Sequence, residues 1–399
     1  MKRIWFALAV VFLGLAWVHP CAHAQTAPLP YGTVEYIGHQ GPNYAYSCPQ
    51  PNYGWVNGTT CIDATMHCAT NLYAVDRTFT YGYEAPTLPY KGTIVALSGG
   101  GGTTPSSTPG AEAQMLGAYL SNGFEIVQVK WASDWEDQAD AYPPFGYGNI
   151  QYAACRPAGV LHFVYASTVA NGANPVLFYP GGGMCAQDSS AGSAAIVYSL
   201  SWYGAGYGST GYIDNVELIS GPVLSEVDTG CRVPIAPNVT VCQGSPTCNM
   251  ASGVQAWSVT PEYNNGFEKG PRQWTNIGAC ANTTGQNTSA WNSDWNTLSI
   301  LSSSITSQQL SYPSTSMNAW LCGSVYQNLD PMNNSSSQGW FFYQQASFMT
   351  NNWFVNAVTN CDGPEGVAGT HGTGPNGVAG GATAMIISDM EAQCKAHTH

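Results

Sequence analysis

From Lys91 onward the chain alternates short β-branched apolar runs with longer amphipathic stretches, and this rhythm constrains the fold more than any other feature. Thr93–Leu97 is one such run, and four glycines, Gly99 to Gly102, follow it. Ala111–Ser121 sets Met115, Leu116, Tyr119 and Leu120 on one face at helical spacing, and Asn122-Gly123 is a good stop signal. Phe124–Val129 reads as the next strand. Arg156–Val169 reads as the next helix, with Pro157 tolerated near its start. Met184–Gln187, Asn215–Ser220, Met317–Cys322 and Trp353–Val358 read as further strands. Ala191–Tyr203 reads as an apolar helix, and the last helix runs roughly from Ala382 to Cys394. Strands spaced by helices of this length predict an α/β fold, a mostly parallel central sheet covered on both faces.

Two segments stand outside the rhythm. Residues 25–90 are rich in Tyr, Gly, Pro and Asn and hold three cysteines, so they read as N-terminal strands and loops stapled by disulfides. Residues 228–310 hold Cys231, Cys242, Cys248 and Cys280 with Trp257, Trp274, Trp291 and Trp295. They read as an insertion, either a cap over the carboxyl ends of the strands or a stapled surface loop. The core is then 91–227 together with 311–399.

Residues 1–24 read as a signal segment. Lys2 and Arg3 precede an apolar run from Ile4 to Val18, and Ala22-His23-Ala24 is a small-x-small cleavage site. The run is short for a membrane span, and no later stretch is long and apolar enough to be one. The expected product is exported, extracellular or periplasmic. Of 13 cysteines Cys21 leaves with this segment, and the even number that remains suggests several disulfides. The spacings Cys48–Cys61–Cys68 and Cys242–Cys248 lack the paired Cys-x-x-Cys pattern of a zinc site. Local pairs within 48–68 and 231–280 are the simplest connectivity. Charged residues make up only 8% of the chain and the net charge is −13, which argues against nucleic acid and anionic membranes as partners.

The segment with chemical content is Met184-Cys185-Ala186-Gln187-Asp188-Ser189-Ser190-Ala191-Gly192-Ser193-Ala194. A strand, a tight turn of small residues and an apolar helix follow one another directly. A serine in such a turn is held at the strand's end, open to a ligand. The N-terminus of the following helix favours negative charge. A plain helix cap would use the same residues.

This segment resembles the nucleophile elbow of the α/β-hydrolase superfamily, G-x-S-x-G, with Asp188 in place of the first glycine. The likeness covers roughly residues 90–395 and is to secreted serine esterases and lipases. It implies Ser190 as nucleophile, with Ser189 and Ser193 as rivals. It implies that the glycine run is an oxyanion loop, with Ser98 where the family usually has histidine; Gly100 and Gly101 would then donate along with the N–H of Ala191. A four-glycine run also suits a flexible linker. The family order of serine, acid, histidine implies Asp330 as the acid, after the Met317–Cys322 strand, with Asp362 and Glu365 as rivals. It implies His371 as the base. His39, His67 and His162 precede the serine, and His397 and His399 sit at the chain's end.

The implied activity is hydrolysis of a carboxylic ester, small or polymeric, through an acyl-enzyme, with no metal or organic cofactor. A serine peptidase and a non-catalytic binding protein on the same scaffold are the alternatives. The departures at Ser98 and Asp188 motivate the second of these.

Overall fold

The structure, a computed structural model, describes residues 28–36, 45–49, 54–68, 76–87, 89–99, 101–106, 109–135, 153–167, 177, 181–189, 191–206, 211–219, 312–324, 327–328, 352–358 and 381–396. Eleven strands form one sheet. They are β1 Thr33–Tyr36, β2 Tyr46–Ser47, β3 Thr60–His67, β4 Arg77–Glu84, β5 Gly92–Ala96, β6 Phe124–Trp131, β7 Gly183–Ser189, β8 Asn215–Ile219, β9 Ser316–Ser324, β10 Gln327–Asn328 and β11 Asn352–Val358. The helices are α1 Pro109–Ser121, α2 Cys155–Ala166, α3 Ala191–Trp202 and α4 Gly381–Gln393. Every strand and helix expected from the rhythm is present.

The sheet runs β1-β3-β4-β6-β5-β7-β8-β9, with β11 parallel to β9 and β2 antiparallel to β3. From β6 through β5, β7, β8 and β9 all pairings are parallel. The stretch before residue 90 forms an antiparallel wing that extends the same sheet, joined to it where β4 pairs β6 from Phe79↔Trp131 to Glu84↔Ile126.

The strand period of two decides which helix each residue meets. On β5, Val95 and Leu97 join the core under α2 and α3, with Ala158, Val160, Leu161, Ile196 and Leu200. Ile94 and Ala96 point the other way, to Met115, Leu116 and Tyr119 of α1 and Ile386 and Met390 of α4. Both faces are covered, so β5, β7 and β8 are buried at every position. β5 accordingly reads as an apolar run, while β7 and β8 bury polar side chains as well.

Three disulfides link described residues: Cys48–Cys61, Cys68–Cys155 and Cys185–Cys394. The first is the local pair expected. Cys68 pairs outside that stretch, because β3 ends beside the start of α2 and brings Cys155 within reach. Residues 228–310 lie outside the described residues, and none of these bridges falls in them. No helix among the described residues is long and apolar enough to cross a membrane.

α4 is fastened to the sheet by buried polar groups as well as by Cys185–Cys394. Glu217 on β8 is fully buried. It accepts from Asn215 Nδ2 at 3.0 Å, Asn318 Nδ2 at 3.3 Å and Trp320 Nε1 at 2.5 Å. The Asp389 carboxyl on α4 is the neighbouring acid. Burial first, and Asp389 second, push Glu217 well above the carboxylate range.

Candidate active site

The carboxyl ends of β5 and β7 lie side by side. The register runs from Gly92↔Gly183 to Ala96↔Gln187, and two residues further along each strand stand Ser98 and Ser189. β7 continues through Asp188 to Ser189, past the expected end at Gln187, and α3 starts at Ala191. A single residue, Ser190, therefore separates strand from helix. Ser190 itself lies outside the described residues.

The turn around it is sterically demanding. A Cβ at Gly192 would stand 2.0 Å from Cγ and Oδ2 of Asp188. Glycine at 192 is thus what makes room for an aspartate where the resembling family carries glycine. The Asp188 side chain is 1% exposed, and its Oδ1 accepts the Ser189 N–H at 2.5 Å. Among the described residues Oδ2 has no hydrogen-bond partner. Burial, then the neighbouring Glu112 carboxyl, push Asp188 well above the usual carboxylate range, against the pull of backbone bonds at Ser189 and Leu97. Glu112, on α1, is itself buried and accepts the Ser106 hydroxyl at 2.8 Å.

The rival serines have other duties. Ser193 is fully buried, and its hydroxyl donates to the Asp188 carbonyl at 3.0 Å, with the Ile219 carbonyl at 3.4 Å. It stitches α3 to the ends of β7 and β8. Ser189 is the last strand residue, paired with Ile219 and 2% exposed.

The glycine run is a packed turn, which removes the linker alternative. Gly102 N–H donates to Gly99 O at 3.1 Å. The Gly101 and Gly102 carbonyls accept the Trp135 and Trp131 N–H groups at 3.0 and 2.8 Å. A Cβ on Gly101 would lie 2.4 Å from Asp134 Cγ, and Gly102 has φ +68°. Among the described residues no acceptor meets the Gly101 N–H. Gly100 lies outside them. Ser98, at the head of this turn, adopts φ 71°, unusual for a residue with a side chain. Its hydroxyl is fully buried without a partner. Strain and an orphaned polar atom together are common at functional sites.

Asp330, His371, Asp362 and Glu365 lie outside the described residues. Part of the segment expected as a loop before Asp330 is the short strand β10, which pairs back on β9 at Gln327↔Ser324. The earlier histidines are engaged elsewhere. His67 is bound by Asp76 and Glu35, each at 2.7 Å, and His162 is stacked on Tyr31 at 3.9 Å. No group of three His, Cys, Asp or Glu able to hold a metal occurs among the described residues. Sequence reasoning missed the buried carboxyls Asp188 and Glu112.

No family model matches the chain, and no curated protein sequence does. Solved structures do. Bacterial heroin esterase is 12% identical over 86% of this chain and 86% of that one, with a TM-score of 0.47. Acetyl xylan esterase 1 from Thermoanaerobacterium sp. is 10% identical over 92% and 89%, with a TM-score of 0.48. Brefeldin A esterase, described as a bacterial homologue of human hormone sensitive lipase, is 14% identical over 88% and 80%, with a TM-score of 0.45. The chain's own sheet defines the class: a mostly parallel α/β sheet, helices on both faces and a one-residue strand-to-helix turn at its centre. The fold is a doubly covered α/β sheet, as expected from the sequence.

Proposed function

We propose that this chain is an exported serine hydrolase that cleaves carboxylic esters through an acyl-enzyme. The observation that carries the proposal is the turn between Ser189 and Ala191, at the carboxyl end of a central strand and the N-terminus of α3. Ser190 is the nucleophile in this reading. His371 takes its proton as the oxygen attacks the ester carbonyl, and Asp330 fixes the imidazole tautomer and stabilises its charged form. The N–H groups of Ala191, Gly101 and Gly100 hold the oxyanion. The unoccupied Gly101 N–H supports its part in that role. Water then releases the acyl group. Export is supported by the apolar segment Ile4–Val18 and by three disulfides, which persist in oxidising compartments.

A fluorophosphonate probe tests the nucleophile. The wild-type protein is expected to label at Ser190, and Ser190→Ala to lose the label while keeping its fold. A folded wild-type protein that never labels would sink the reading in favour of a non-catalytic binding protein. His371→Ala is expected to lower kcat on aryl esters by about 10⁴-fold or more. Wild-type rates in that variant would remove His371 as the base. Hydrolysis of peptides with no ester activity would point to the peptidase alternative.

A further inference from the structure

Among the described residues around the elbow, Asp188 combines a tight fit with the absence of a balancing charge. Its carboxyl occupies the volume that a methyl at Gly192 would take, 2.0 Å from the place of that Cβ. One oxygen holds the Ser189 N–H at 2.5 Å, and the other meets no partner. From α1 the charged group whose field reaches it is Glu112, another carboxyl. From β5 it is met by backbone at Leu97, and its own strand and α3 supply no charged side chain to it. The amino end of α3 favours an anion here, but a helix terminus is a weak influence beside the burial of a carboxylate against a second acid. Burial and the Glu112 carboxyl outweigh these influences and push Asp188 well above the usual carboxylate range.

We propose that Asp188 is a positioning residue of the hydrolase: a neutral carboxylic acid that braces the turn from Ser189 to Gly192, so that the enzyme works only while Asp188 keeps its proton. The proposal rests on Ser190 being the nucleophile. In the neutral form the acid holds the Ser189 N–H and packs against Gly192, which fixes the backbone on either side of Ser190. Loss of the proton leaves an anion in a dry site beside Glu112. That anion competes with the developing oxyanion for the field of the same helix terminus, and its hydration draws the turn apart. A glycine in this position carries no such limit.

The test is the pH dependence of fluorophosphonate labelling in wild type, Asp188→Asn and Ser190→Ala. Wild-type labelling is expected to fall about tenfold per pH unit once Asp188 ionises, as for any single essential acid. D188N keeps the acceptor oxygen and cannot ionise. It is expected still to label at neutral pH, with no decline at alkaline pH. The same alkaline decline in both proteins, or a folded D188N that does not label, overturns the proposal. A second measurement needs no variant: in protein carrying ¹³C at the aspartate carboxyl carbons, one resonance should titrate with the midpoint of the labelling decline. Absence of any such resonance also overturns it. Failure of the nucleophile reading looks different, because wild type then labels at no pH, or S190A labels as wild type does.

Discussion

The antiparallel wing and the parallel centre of this sheet handle acidic residues in opposite ways. In the wing, Asp63 accepts the Tyr46 and Thr80 hydroxyls at 3.0 and 2.6 Å, and His67 lies between Asp76 and Glu35. These groups sit at the surface, where water screens them and small energies are at stake. In the centre, Asp188, Glu112 and Glu217 are 0–2% exposed, and the acids nearest to Asp188 and Glu217 are other carboxyls. There burial and a neighbouring carboxyl push Asp188 and Glu217 well above the carboxylate range. A wing strand has one face in water, so its polar side chains need no special provision. A central strand has helices on both faces, so each polar side chain must find a hydrogen bond or a proton.

The largest expected effect comes from cutting the centre's covalent tie. Cys185–Cys394 closes a loop of 209 residues, worth roughly 5 kcal/mol in chain entropy, against roughly 3 kcal/mol for the 13-residue Cys48–Cys61 loop of the wing. Double serine variants of each pair, compared by chemical denaturation, should lose stability in that order. A larger loss at Cys48–Cys61 would break the contrast. Next in size is the steric fit at the elbow. Gly192→Ala should destabilise by about 3 kcal/mol and abolish labelling, and Asp188→Gly in the same chain should restore most of the stability. A double variant no better than G192A would show that Asp188 is not what fills that space.

Glu125 sits between the two regions, on β6, 1% exposed with one oxygen unpartnered, and burial pushes it up to about 8. The unfolded chain ionises near 4.5 while the folded one stays protonated, so stability falls as pH rises between these values. The loss is on the order of 3 kcal/mol by pH 7. Glu125→Gln should flatten that slope and raise the denaturation midpoint at pH 7 but not at pH 4. An unchanged slope would place the charge in water after all. The smallest effect belongs to the wing. Burial opposes protonation of His67, but Asp76 and Glu35 outweigh it and raise its pKa. Its contribution is therefore present below the ordinary histidine range and fades as pH rises through the raised value. His67→Ala should cost about 0.5 kcal/mol or less near pH 6 and nothing at pH 9. A cost as large as that of G192A would erase the distinction between wing and centre.

Much of the centre was legible because both of its periods are local. Ile94 and Ala96 against Val95 and Leu97, or Met115, Leu116 and Tyr119 along α1, announce their faces within a few residues. The wing was legible only as short strands and loops. Its Tyr- and Gly-rich strands owe their place to a distant partner, with β4 lying along β6 from Phe79↔Trp131 onward. At the site, the run of small residues after Gln187 marked the turn and its neighbours. The fitness of Asp188 there was not legible, since it depends on free volume at Gly192 and on the acid that α1 brings alongside.

The sequence by itself determined the succession of strands and helices, the place of the turn at Ser190 and the glycine run after β5. Each of these is written in side-chain size and spacing along a few neighbouring residues. Only the tertiary structure decided the order of strands, the long-range bridges Cys68–Cys155 and Cys185–Cys394, the packing of the glycine run on Trp131, Asp134 and Trp135, and the burial of Asp188 against Gly192. These depend on burial and on residues far apart in the chain, and both arise only once the sheet has closed under its helices.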